Sequence, residues 1–151
     1  MIRPFQPGDL PQVLDIWLQG NLDAHSFISP DYWRSNLPLA ARQIPLASVW
    51  VFAEDNVVTG FAGLVEGEIA GLFVRRGARS RGVGGELIRA VQSLGLPLRL
   101  CVYEKNTAAR RFYLRQGFVF RHRQIDPATG EAELVLTWAP PLSNSPRTEV
   151  L

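Results

Sequence analysis

Arg75 to Gly85 reads R-R-G-A-R-S-R-G-V-G-G and packs four arginines and four glycines into eleven residues. It follows the apolar run Ile69 to Val74 and opens a helical pattern over Glu86 to Leu94. Guanidinium groups supply charge and bidentate donors suited to phosphate. Glycines let the main chain approach a ligand and turn its N–H groups toward it. A helix start adds the positive end of its dipole. The junction is therefore built to hold phosphates.

Two nucleotide motifs fail here. A P-loop needs a Gly-Lys pair, and the chain has none. A dinucleotide fingerprint finds its first half in Gly82 and Gly84, but its third glycine position falls on Leu87. That fingerprint also needs its glycines directly after the strand, whereas Arg75 to Arg81 intervene.

The elements around the loop follow from periodicity. Met1 to Phe5 reads as a short strand. Asp9 looks like an N-cap with Gln12 completing a capping box, and Leu10, Val13, Leu14, Trp17 and Leu18 share a helical face. Gly20 is the predicted stop, and Asn21 to Ser29 a loop. Ser29-Pro30 starts a second helix, which Pro38 must kink or end. Val49 to Ala53, Val57 to Glu66 and Glu68 to Val74 read as three successive antiparallel strands. After the loop and its helix come the strand Leu98 to Tyr103, a helix from Asn106 to Gly117, and a hairpin of Phe118 to Ile125 with Glu131 to Trp138. The order β-α-α-β-β-β-α-β-α-β-β implies a mixed α/β (α+β) class with helices on both sheet faces. Glu68 to Tyr103 should form a parallel strand pair with a right-handed crossover. Residues 1–139 are expected to be one domain and 140–151 a mobile tail.

Composition bounds the function. A 151-residue chain with 46% hydrophobic and 20% charged residues suits an ordinary globular domain. One cysteine allows no internal disulfide and fits a reducing compartment, so a cytoplasmic location is expected. No signal peptide or membrane-spanning run is evident. A net charge of +2 argues against a strongly basic nucleic-acid binder. Every basic residue except Lys105 is arginine.

Arg79-Ser80-Arg81-Gly82-Val83-Gly84 resembles the R/Q-x-x-G-x-G/A segment of GNAT-type N-acetyltransferases. A second stretch, Asn106 through Ala109, Phe112 and Tyr113 to Gly117-Phe118, resembles their N-x-x-A-x-x-F-Y-x-x-x-G-F segment. Together with Asp23 to Ile28, Tyr32-Trp33-Arg34 and Val102 to Asn106, these stretches are similar to small bacterial acetyltransferases of the YiaC and YjaB type. The resemblance spans Met1 to Trp138. It implies a GNAT fold with a seven-stranded, mostly antiparallel sheet. It implies acetyl-CoA as cosubstrate and direct acetyl transfer to a primary amine. A protein lysine or N-terminal amine is favoured, and a small amine stays open. Leu72, Phe73 and Val74 would lie beside the cofactor. Arg79, Ser80, Arg81, Gly82, Val83, Gly84 and Gly85 would hold its pyrophosphate, with Asn106, Phe112 and Tyr113 completing the site.

Tyr113 matches the family tyrosine near the coenzyme sulfur and is expected to act as general acid; otherwise it is a core aromatic. Glu66 is the preferred base, directly or through water; otherwise it is a solvated turn acid. His25, Phe27, Tyr32, Trp33 and Tyr103 would border the acceptor, and His25 could bind or deprotonate an amine. His122 reads as surface. Cys101, inside a strand, is expected to be a buried apolar group rather than a nucleophile. Arg75 and Arg76 need do no more than stay solvated. The competing readings are a non-catalytic acetyl-CoA-binding regulator and an RNA- or DNA-binding patch on Arg75 to Arg81. No metal is expected, and the protein is expected to be a monomer or weak homodimer.

Overall fold

The computed structural model describes residues 1–142. Most of the expected C-terminal tail, residues 143–151, lies outside the described residues. The described residues form seven strands in one sheet and four α-helices. The strands are β1 (Ile2–Pro4), β2 (Ser48–Glu54), β3 (Val57–Val65), β4 (Glu68–Val74), β5 (Leu98–Tyr103), β6 (Val119–Ile125) and β7 (Ala132–Trp138). The helices are α1 (Leu10–Ala24), α2 (Pro30–Gln43), α3 (Val83–Gln92) and α4 (Thr107–Arg115). The sheet order is β1-β2-β3-β4-β5-β7-β6, and every neighbouring pair is antiparallel except β4 with β5.

Alternation along the strands sends side chains to two cores. Val49, Val51, Val58 and Phe61 pack with Val13 and Ile16 of α1 on one face. Leu64, Ile69, Leu100 and Leu136 pack with Leu87, Ile88 and Val91 of α3 on the other, where Tyr113 of α4 is also buried. Helices thus cover both faces, as the element order implied.

Local details differ from the sequence reading. Asp9 makes no side-chain cap to α1. Its buried carboxylate instead accepts two bonds from Arg3, at 2.8 and 2.9 Å, and one from the Gln6 N–H at 2.8 Å. The Arg3 guanidinium holds this carboxyl below its ordinary pKa. Gln12 reaches the β2–β3 turn, where its amide nitrogen donates to the Asn56 carbonyl and its oxygen accepts the Val58 N–H. Pro38 sits inside α2, which continues to Gln43.

Gly20 does not stop α1, which runs on to Ala24. A Cβ at Gly20 would stand 2.4 Å from the Phe73 ring of β4, so a bare main chain is what lets helix and strand approach. In a free helix, alanine is favoured over glycine by about 1 kcal/mol. Here Gly20→Ala is expected to lower the unfolding free energy by about 1–3 kcal/mol through overpacking. Urea denaturation reads this directly, and a variant as stable as its parent would remove the steric account.

Candidate active site

The parallel pair β4–β5 is in register only at Glu68 and Arg99. Beyond that pair the strands diverge, and their C-terminal ends open a groove of about 720 Å³. The groove crosses the sheet: Gly20, Asp23 and Ala24 of α1 form one wall, and Asn106, Phe112 and Tyr113 form the other. Leu72, Phe73 and Val74 edge it from β4, and Arg79, Ser80, Gly82, Gly84 and Gly85 close its end. The structure thus gathers most of the sequence-selected cofactor residues. Arg81 is exposed and does not line the groove, while Val83 turns its side chain into the α3 core.

The closing loop is shaped by two left-handed residues, Ser80 (φ 66°) and Gly82 (φ 82°). Gly82 caps α3, and its carbonyl accepts the Glu86 N–H at 3.0 Å. The N–H groups of Val83, Gly84 and Gly85 therefore begin the helix with no partner inside it. A Cβ at Gly84 would meet the Phe112 ring at 3.5 Å, an ordinary van der Waals contact. Bare N–H donors at a helix start suit a phosphate anion, and in this respect the site fits coenzyme A.

Three of the four loop arginines are paired. Arg75 pairs with Asp15 at 2.9 Å, and Arg76 pairs with Asp23 at 2.5 Å. Arg79 donates to the Val74 carbonyl at 2.9 Å and lies 3.2 Å from Asp23. Arg75 and Arg76 are thus not merely solvated: they strap α1 to the loop. The Arg76 hydrogen bond, foremost, holds the Asp23 carboxyl below its ordinary range.

Tyr113 is buried at the inner wall, and burial raises its phenol above the ordinary pKa. It stays protonated at neutral pH, the state a proton donor needs. Asn106 caps α4 by accepting the Ala109 N–H at 3.2 Å. The amide nitrogen of Asn106 lies 3.3 Å from Nε2 of His25, and Nδ1 of His25 lies 3.0 Å from Oδ1 of Asn21. The Asn21 amide nitrogen donates to the Trp17 carbonyl. One assignment satisfies the whole chain: His25 carries its proton on Nδ1, donates to Asn21, and accepts from Asn106. His25 is only 8% exposed, and burial lowers its pKa from 6.5 to about 4. It is a neutral strut between α1 and the α4 cap, with neither nitrogen left over for an amine.

The other acceptor-side residues gather on that imidazole. Ring centroids lie 5.2 Å away for Trp33, 5.8 Å for Phe27 and 5.0 Å for Tyr103, and Tyr32 stands 4.9 Å from Trp33. The Tyr103 hydroxyl donates to Asp126 at 2.6 Å. Burial, then this bond, raises the Tyr103 pKa. Lys105 holds its ammonium 5.5 Å over the Phe27 ring and 3.1 Å from Glu131.

Glu66 is not brought to Tyr113. It occupies the β3–β4 turn beside Glu68, Arg99 and Arg121. From Glu68, where β4 begins after that turn, to Leu72 is four residues of strand, about 13 Å. The strand that carries the groove at one end carries this acid at the other. Cys101 is half-buried on β5, and burial, with the Glu133 carboxylate adding to it, raises its thiol pKa away from the thiolate. His122 is exposed on β6. Among the described residues no cluster of His, Cys, Asp or Glu could hold a metal, and no helix is long and apolar enough to cross a membrane.

Sequence reasoning did not single out Asp23, Asn21 or Asp126. Gly20 carries the sequence mark of a helix stop, which places Asn21 and Asp23 in a loop, whereas α1 continues to Ala24. Asp126 in the D-P-A-T-G turn read as turn chemistry, which it also performs through bonds to Ala128 and Thr129.

The fold, the diverging strands and the glycine loop have a known counterpart. The chain belongs to the GNAT acetyltransferases: the acetyltransferase (GNAT) domain family matches residues 45–120. It is 41% identical over 141 residues to peptidyl-lysine N-acetyltransferase YiaC of Escherichia coli K12, covering 91% of this chain and 93% of that protein. The solution structure of apo YjaB from E. coli superimposes with a TM-score of 0.79 at 28% identity, over 91% of this chain and 95% of that one. A GCN5-related N-acetyltransferase from Rhodopseudomonas palustris shares the fold, with a TM-score of 0.78 at 21% identity over 92% and 94% of the two chains.

The His25 strut gives a pH signature. Its pKa is about 4 when folded and 6.5 ordinarily, so between these values the unfolded chain binds more protons. Its contribution is intact above pH 6.5 and declines as pH falls toward 4, by up to about 3 kcal/mol. Denaturant titrations at pH 7 and pH 5 should show a larger loss for the parent than for His25→Asn. Equal losses would contradict a buried neutral imidazole.

Proposed function

We propose that this chain transfers the acetyl group of acetyl-CoA to the side-chain amine of a lysine in a polypeptide, by direct transfer in a ternary complex. The observation that carries this reading is the groove between β4 and β5, with unpaired helix N–H groups at one end and a buried, protonated phenol on its wall. Acetyl-CoA would supply an activated thioester. The first-turn amides of α3 and Arg79 would hold its phosphates. The β4 edge at Leu72 to Val74 faces a gap instead of a neighbouring strand, and its main chain would orient the bound cosubstrate and stabilise a developing oxyanion.

Tyr113 would donate its proton to the departing thiolate; it holds that proton at neutral pH, and burial makes it a weaker acid than an exposed phenol. The acceptor would approach from the His25, Phe27 and Tyr103 side. The Asp126 carboxylate, bonded to Tyr103, would draw a cationic amine toward the site, and desolvation against the aromatic rings would favour the neutral amine, its proton passing to water. A lysine amine with an ordinary pKa of about 10.4 needs that help. Glu66 lies outside the groove, at the β3–β4 turn. The 41% identity with a peptidyl-lysine acetyltransferase supports lysine as the acceptor.

Free-thiol release from acetyl-CoA, followed with lysine peptides and with small amines, tests the reading. Release with peptides is expected. Absence of release with every acceptor would refute acetyl transfer, and release only with small amines would refute the lysine assignment. Tyr113→Phe should lower kcat by about 10²-fold or more while coenzyme A still binds. Unchanged turnover, with chemistry rate-limiting, would remove Tyr113 as the acid.

A further inference from the structure

A second hollow, of about 440 Å³, lies beneath α2 and is distinct from the groove. Its floor is sheet. Gly63 of β3 and Gly71 of β4 are register partners, so two adjacent positions on the face toward α2 carry no side chain. Trp33, Leu39 and Ile44 wall it, and Phe61 and Val65 flank the floor. Sheet positions beneath a helix normally fill the space with side chains. Here the paired glycines leave it open.

One observation points to an occupant: the hollow shares β4 with the groove, Ala70 and Gly71 lining one and Leu72, Phe73 and Val74 the other. From Gly71 to Val74 is about 10 Å along the strand. An extended peptide spans that distance in about three residues.

We infer that this hollow is a specificity subsite that takes one large apolar side chain of the acceptor polypeptide, within about three residues of the modified lysine. The inference rests on the lysine reading above. At about 440 Å³ the hollow has room to spare for one large side chain and too little for a helix. Its walls are mostly apolar, with Asn36 and Gln43 as the polar exceptions beside Tyr32, so leucine, methionine or phenylalanine would gain from burial, and glycine would gain nothing.

The test is a set of lysine peptides in which each of the three positions on either side is leucine, phenylalanine or glycine. At one position, the parent protein should favour the large apolar residue over glycine by about tenfold or more in kcat/KM. Gly63→Leu should erase that preference. A Cβ at Gly63 meets only Val49, at 3.8 Å, so the side chain enters free space. Leu39→Trp fills the hollow from the half-open side of α2, should act alike, and guards against a folding defect in the first variant. Neither change should alter coenzyme A affinity or turnover of the all-glycine peptide by more than about twofold.

No preference at any position in the parent would overturn the subsite while leaving lysine acetylation intact. So would a preference that survives both variants, or an equal fall for apolar and glycine peptides. Turnover of no lysine peptide at all would instead sink the lysine reading, and the subsite with it.

Discussion

The missing ladder between β4 and β5 governs this structure. A sheet is stable because each strand satisfies its neighbours' main-chain groups. Here the pairing stops after Glu68 and Arg99, and the two halves of the sheet part company. The β4 residues Leu72 to Val74 keep their bonds to β3 on one side only. Helices cannot simply cover the open edge, because α1 and α4 stand on opposite faces and form its walls. The chain instead leaves a groove whose unsatisfied polar groups are a ready-made complement for an extended ligand. Arg79 satisfies one of them, the Val74 carbonyl, and marks the groove's end.

Across this gap the walls are tied by contacts distant in sequence. Asp23 holds Arg76 and Arg79, and Asp15 holds Arg75, so ion pairs join α1 to the loop. The Asn21–His25–Asn106 chain does the same for α4. Two walls that would otherwise be joined only through a splayed sheet are clamped near the place where cosubstrate and acceptor would meet. His25, an attractive base on paper, is used up in that clamp.

Much of the architecture was legible because its signals are local. The glycine–arginine loop, the Asn106 cap and the strand alternation each lie within a few residues. Element order followed, and with it the helices on both faces. What stayed hidden depends on geometry between distant residues. Glu66 looked close to the chemistry because it is close in sequence to β4, yet a strand puts its two ends far apart. Gly20 carried the ordinary mark of a helix end, and only the position of Phe73 shows that it serves a close approach. Asp15 and Asp23 could not be matched to arginines some fifty to sixty positions away. The hollow under α2 arises from the register that sets Gly63 beside Gly71, and no single-strand pattern reveals a register.

Lys105 gives the arginine-rich composition a further meaning. Guanidinium groups stay protonated at any ordinary pH and cannot accept an acyl group as an amine does. An enzyme proposed to act on lysines therefore displays almost none of its own substrate. Among the described residues the competing amines are Lys105, held by Glu131 and the Phe27 ring, and the α-amino group of Met1, paired with Glu54 at 2.8 Å. By composition, the surface offers one lysine side chain to the chemistry it would carry out, and Glu131 already pairs with it.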